Sequence, residues 1–260
     1  MKLPIIATLL GALAISACTV EEPPQRKYEP TKTTYTRDIF NIGEKKITSN
    51  SKFTRVGTKN IIVDGTTTAR LELWKSGRNY HIELLGAYDE GLGDTVDRWT
   101  SSYKIKDIYL WSPGGYVREG FKTAAGIRGD SVRAHVIDGT TCASSCTLTF
   151  ISGVERDIEG TGTVAVHAPY VNNLDGTINC SLKSSRLGTY WGKFSRFMLG
   201  NYAGNRFWND TFSRCSATNL IEYDRTDTWL QRPNYNANVM AEDVKGLTVE
   251  KLVDAAGDYK

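Results

Sequence analysis

Apolar and polar positions alternate along the first third of the chain, and a helical period takes over farther on. Ile61-Ile62-Val63 and Ala69 to Trp74 read as strands. Asp64-Gly65 stands after the first of them and suits a tight hairpin turn. Lys46-Ile47-Thr48 is a further short β segment, and Tyr80 to Gly86 is a strand. Asp94 to Tyr103 then carries Val96, Trp99 and Tyr103 at helical spacing, preceded by Gly93. Ile105 to Trp111 is a strand, and Val117 to Ile127 is a helix with Val117, Phe121, Ala124 and Ile127 on one face. Val132 to Ile137 is a strand, Ala143 to Ser152 opens as a helix, and Thr163 to Val166 is a strand. Strand and helix therefore alternate from about 80 to 169, which predicts an α/β fold with right-handed crossovers and a mostly parallel sheet.

Past residue 170 the pattern weakens and aromatic residues crowd together: Tyr190, Trp191, Phe194, Phe197, Tyr202, Phe207, Trp208 and Phe212. Lys183 to Leu199 reads as an amphipathic helix. Ala241 to Val244 and Val249 to Ala256 read as short helices near the surface.

The first residues look like an address rather than part of the fold. Lys2 precedes an apolar run from Leu3 to Ile15, shorter than the roughly 20 residues that a spanning helix needs. The run ends Ile15-Ser16-Ala17-Cys18, which resembles a bacterial lipobox and makes Cys18 the expected site of lipidation. Thr19 to Thr34, with Pro23, Pro24 and Pro30, reads as an extended tether. The expected division is a signal segment over 1–17, a tether over 18–34, a β-rich extension over 35–79 and a main domain over 80–260 with an aromatic-rich insertion at 170–215.

Charge changes the picture only by exclusion. Lys and Arg number 32 against 29 Asp and Glu, interspersed and without a long basic run, so nucleic acid is not an expected partner. Beyond Cys18 stand Cys142, Cys146, Cys180 and Cys215. Export permits disulfides, and four cysteines allow three pairings. A bridge involving Cys180 and Cys215 is expected, with partners unassigned. The Cys142/Cys146 spacing is not that of a zinc ribbon, and no metal or other cofactor is expected.

Three short segments carry candidate chemistry. Ser112-Pro113-Gly114-Gly115 follows a strand, where functional groups of parallel sheets collect, and its glycines admit a ligand close to the backbone. Cys142-Ala143-Ser144-Ser145-Cys146 sits at a strand-to-helix elbow that exposes a serine hydroxyl. Val166-His167-Ala168-Pro169 offers a base whose reference pKa lies near neutrality. Ser144 is the candidate nucleophile, Ser145 its competitor, and the amides of Gly115 and Ser145 the candidate oxyanion donors. His81 and His135 read as hydrogen-bonded core histidines.

The order strand, Ser-Pro-Gly-Gly, helix, strand, Cys-Ala-Ser-Ser-Cys, helix, strand, Val-His-Ala-Pro resembles the Clp protease proteolytic subunit and its relatives in the ClpP/crotonase superfamily, most of all an exported, membrane-associated branch. The resemblance implies a βαβ superhelix, a Ser-His-Asp mechanism and self-association. Carried over residue by residue, it puts the nucleophile on Ser144 and the base on His167. The aspartate falls on Asp227, with Asp224 as the fallback. Cys146 departs from the small glycine that the family has at that position, and segments 35–79 and 170–215 lie outside the likeness. A related exported group uses a lysine base, for which Lys183 and Lys193 are the positions to test.

Two readings follow. One is a serine peptidase or esterase-like hydrolase in the bacterial envelope, a lipoprotein facing the periplasm from the outer membrane and acting on peptides or unfolded protein segments. The other is a non-catalytic lipoprotein that keeps the fold as a binding or assembly module, with 170–215 as its partner surface. Acyl-CoA chemistry, a third use of such a fold, has little coenzyme A to work with outside the cytoplasm.

Overall fold

The computed structural model describes residues 53–215, 219–234 and 247–260. The signal segment, Cys18, the tether, Lys46-Ile47-Thr48 and Ala241 to Val244 lie outside these described residues. None of the described helices is long and apolar enough to cross a membrane.

Three antiparallel strands open the fold: β1 (Thr54–Val63), β2 (Thr66–Ser76) and β3 (Asn79–Gly86). The β1–β2 turn is Asp64-Gly65, as expected, with φ of 49° and 77°. Two left-handed residues match the twist of the paired strands. From β3 the chain changes to parallel crossovers. Helix α1 (Leu92–Ser102) leads to β4 (Ile105–Trp111), and α2 (Val117–Gly129) leads to β5 (Arg133–Val136). A short β6 (Thr141–Ala143) and α3 (Cys146–Ser152) then lead to β7 (Arg156–Ile158). The main sheet has the order β1-β2-β3-β4-β5-β7, parallel from β3 onward. The fold is thus α/β with a mostly parallel set of crossover strands and a β-rich N-terminal hairpin continuous with the same sheet.

One detail departs from a single sheet. Strand β6 leaves the main sheet after Gly139, a glycine at φ 73°, and pairs in parallel with β8 (Thr163–Val166). Strand β11 (Ile221–Tyr223) pairs antiparallel on the other side of β8. The alternation of residue types predicts strands but not which neighbour each will take. The remaining elements are a hairpin of β9 (Tyr170–Asn172) and β10 (Ile178–Cys180), then α4 (Arg186–Leu199), α5 (Asn201–Thr211), α6 (Thr228–Gln231) and α7 (Val249–Ala256).

The core follows the strand period of two. Ile82, Leu84, Ile108, Leu110, Ala134 and Val136 point to the face on which Val96, Phe121, Ala124 and Leu148 of the helices pack. The aromatic residues beyond 170 join this core. Trp191 and Phe194 meet Phe121 edge-on, with ring centroids 5.6 and 5.2 Å apart, and Phe207 is fully buried. Each such burial is worth about 1.5–3 kcal/mol. Tyr202 is the exposed member of the group. Most of the aromatic density is therefore packing rather than free surface.

Candidate active site

Strand β4 ends at the glycine turn. Ser112 is stitched to the end of β6: its N–H donates to the Thr141 carbonyl at 3.0 Å, and its carbonyl accepts from Ala143 N at 2.8 Å. Within the turn, Ser112 Oγ accepts the Gly114 N–H at 3.0 Å. Gly114 and Gly115 have φ of 95° and 146°, a region that side chains avoid. Gly115 lies against Tyr88, whose N–H donates to the Gly114 carbonyl at 2.8 Å.

The turn abuts the elbow between β6 and α3. Ser144 has φ 54°, a rare conformation for a residue with a side chain. Its N–H donates to the Ala165 carbonyl of β8 at 2.9 Å. Its own carbonyl accepts from Thr147 twice, from N at 3.0 Å and from Oγ1 at 2.6 Å. A Cβ on Gly114 would overlap the Ser144 Cβ and lie 3.1 Å from its Oγ, so the close approach of the turn to Ser144 requires glycine at 114.

Ser145 is directed elsewhere. Its Oγ is buried without a hydrogen-bond partner. The residue packs on α2, where a Cβ on Gly120 would come within 2.7 Å of the Ser145 carbonyl and 3.1 Å of its Cβ. Its amide, like that of Gly115, donates to no protein acceptor among the described residues.

His167 follows β8 directly. It lies two residues past Ala165, the residue that receives the Ser144 amide, about 7 Å along an extended chain. The side chain is 4% exposed. Its Nδ1–H donates to the Ala168 carbonyl at 2.8 Å, which leaves the Nε2 lone pair as the basic atom. Burial lowers the imidazole pKa below its usual 6.5, against the smaller opposing effect of that carbonyl, so the ring is neutral at pH 7. Ser144 Oγ and the His167 ring form no hydrogen bond among the described residues.

Asp227, the expected third member, makes no hydrogen bond to His167 among the described residues. Ile221 pairs with Val166 and Tyr223 with Val164, so β11 carries the chain away from His167 toward the far end of β8. The Asp227 carboxylate accepts from Trp229 Nε1 at 3.0 Å and Asp224 N at 3.1 Å. Asp224 Oδ1 accepts from Thr226 in the same turn. The aspartates close a local turn at the start of α6. The carbonyl of Ala168 holds the imidazole in their place. Nothing in the sequence distinguishes such a carbonyl, since every residue carries one.

Lys183 donates to Asn209 Oδ1 at 3.0 Å, and exposed Lys193 lies over the Tyr190 ring at 5.9 Å. Cys142 pairs with Cys146, and Cys180 with Cys215. His81 and His135 both contact Asp107 from neighbouring strands of the sheet, His135 through a hydrogen bond.

No family model matches the chain, and no curated protein matches it. Among solved structures it is similar to a point mutant of ClpP1 from Listeria monocytogenes, 13% identical with a TM-score of 0.42, over 62% of this chain and 94% of that one. It is also similar to two point mutants of the 1510-N membrane-bound stomatin-specific protease, each 12% identical with a TM-score of 0.45. The first of these matches covers 58% of this chain and 73% of the other; the second, in complex with a substrate peptide, covers 65% and 85%. At these values the neighbours assign neither a family nor an activity, and the chemistry of this chain rests on its own residues.

Proposed function

We propose that the chain is a serine hydrolase of the bacterial cell envelope, acting on peptides or unfolded protein segments through an acyl-enzyme. Ser144 Oγ attacks the scissile carbonyl while His167 Nε2 takes its proton. The oxyanion is received by the amides of Gly115 and Ser145, each such donor being worth about 2.7–4 kcal/mol of barrier. His167 then returns the proton to the leaving group, and water repeats the sequence to release the acyl group. The Ala168 carbonyl keeps the ring in the required tautomer.

The observation that carries this reading is the backbone of Ser144: a left-handed φ of 54° at a strand-to-helix elbow, packed against a turn that only glycine at 114 allows so close to the hydroxyl. Such a conformation costs about 1–3 kcal/mol and persists where the surroundings enforce it. The test is labelling by a fluorophosphonate probe. Ser144→Ala is expected to abolish labelling and Ser145→Ala to keep it; labelling that survives Ser144→Ala rejects the assignment.

The envelope location is part of the proposal. Four cysteines paired in two disulfides suit an oxidising compartment. Acyl chains on Cys18 would hold the protein at the outer membrane, facing the periplasm. Cys18→Ser is expected to move it from the membrane to the soluble fraction. Self-association is expected to register in light scattering as a multiple of the mass of the processed chain.

One observation favours the second reading, a non-catalytic binding module: the serine and the imidazole are not hydrogen-bonded to each other. Catalytic hydrogen bonds often tighten only when substrate is present. Failure of the wild-type protein to label would select the module.

A further inference from the structure

The helices cover one face of the main sheet. The opposite face carries charge, and at its β5–β7 edge the charges converge. His135 on β5 pairs in register with Asp157 on β7, and Glu159, two residues on, points to the same side. Tyr109 stacks on the His135 ring with centroids 4.9 Å apart and 20° between planes, which fixes the plane of the imidazole.

Behind the histidine lies Asp107, 2% exposed. It accepts from His135 Nε2 at 3.1 Å and Arg133 Nε at 2.6 Å, and its Oδ2 lies 2.7 Å from His81 Nδ1. Arg133 donates to the same oxygen, Oδ1, so Asp107 meets the ring as an acceptor and His135 Nε2 as the donor. The opposite ring nitrogen, Nδ1, is then free to use its lone pair.

That Nδ1 is buried and has no hydrogen-bond partner. It faces Asp157 Oδ2 at 3.7 Å and Glu159 Oε1 at 3.8 Å. The ligand atoms of all three residues lie within 4.8 Å of one another. The three atoms are close enough to share one ion. The observed separations are near the roughly 3.4 Å between ligand atoms that share a tetrahedral ion at bond lengths of about 2.1 Å.

We propose that His135, Asp157 and Glu159 bind a divalent transition cation of the Zn²⁺ class, with Asp107 orienting the histidine from behind. One imidazole and two carboxylates suit such an ion, and a carboxylate on the far side of a ligating histidine is the usual support. The ion would tie β7, a three-residue strand at the sheet edge, to β5. The site shares no residue with Ser144 or His167 and stands whether or not the chain is a hydrolase.

The test titrates Zn²⁺ into full-length, chelator-stripped protein by calorimetry, with visible absorption of the Co²⁺-loaded form as a second readout. One ion per chain is expected, at micromolar affinity or tighter. Asp157→Asn is expected to weaken binding by at least roughly tenfold and to change the Co²⁺ spectrum, with Asp107→Asn weakening it by a similar factor through the ring. Asp157 is exposed at the sheet edge, so its variant should keep the wild-type circular dichroism. Glu159→Gln serves as a second ligand variant. Absence of saturable binding to the wild type, or equal affinity in wild type, Asp157→Asn and Glu159→Gln, overturns the proposal.

Discussion

Cys142 and Cys146 are bonded to each other across Ser144, with their Cα atoms 5.3 Å apart. Both are fully buried, one within β6 and the other at the start of α3. The bridge therefore joins the two elements whose junction forces Ser144 into its left-handed conformation. The second bridge does similar work for the imidazole. Cys180 pairs in register with Tyr170, and Arg214, beside Cys215, accepts the Ala168 N–H at 2.7 Å. Each of the two groups proposed to react is held by its own disulfide.

Opening the short bridge should cost activity out of proportion to stability. Closing so small a loop stabilises by about 2 kcal/mol, against about 4 kcal/mol for the Cys180–Cys215 loop. A misplaced nucleophile, by contrast, loses on the order of a hundredfold in rate. The double variant Cys142→Ser/Cys146→Ser is expected to remain folded in water and to label with fluorophosphonate about a hundredfold more slowly. Urea unfolding and labelling rates measured on the same preparation decide it; an unchanged rate would mean the elbow needs no staple.

Gly114→Ala should be severe and Gly129→Ala harmless. At position 114 an alanine meets both a φ of 95° and the Ser144 side chain. The backbone strain alone costs about 1–3 kcal/mol, and relief would come by pushing Ser144 aside. At position 129, the last residue of α2, an added Cβ meets nothing within 4 Å. Alanine there should stabilise by up to about 1 kcal/mol. Thermal unfolding with labelling rates would separate the two; equal behaviour would remove the argument that glycine is needed over the hydroxyl.

The turn, the elbow and the strand end were legible because each rests on local chemistry. Gly114 and Gly115 announce a turn that needs positive φ, Ser144 follows a strand and precedes a helix, and His167 ends the next strand. What was not legible depends on partners chosen in space. Asp227 had the right residue type in a suitable neighbourhood, but its carboxylate is spent on Trp229 and Asp224. The aromatic residues from Tyr190 to Phe212 looked like a surface in sequence because their period is helical without a visible partner. The partner is Phe121, seventy residues upstream. His135 had no signal, because Asp157 and Glu159 become its neighbours only through the β5–β7 register.

Ser145→Ala should leave the protein as stable as before, or more so. A buried hydroxyl without a partner costs about 1–3 kcal/mol, and the substitution removes it. The proposed oxyanion donor at this position is the main-chain amide, which alanine retains. Unfolding free energy unchanged or raised, with labelling intact, is the expected outcome. A loss of labelling in this variant alone would transfer the nucleophile's role from Ser144 to Ser145.

The pH dependence should reveal His167 twice, in rate and in stability. Burial holds its pKa below 6.5, so the reactive neutral ring persists to lower pH than an exposed histidine would allow. The acid limb of the labelling rate is expected to have its midpoint below 6.5, and His167→Ala to remove the rate rather than shift the limb. Stability runs in a definite direction as well. In the unfolded chain the imidazole protonates near 6.5, before the folded one does. Between the two pKa values the unfolded state therefore binds more protons, and stability falls as pH drops through that window. Below the folded value both states are protonated and the loss levels off. Asp227→Asn should leave the rate profile in place, because the group that steadies this ring is the Ala168 carbonyl, which does not titrate. A rate limb centred at or above 6.5, or one displaced by Asp227→Asn, would mean that a carboxylate reaches His167 after all.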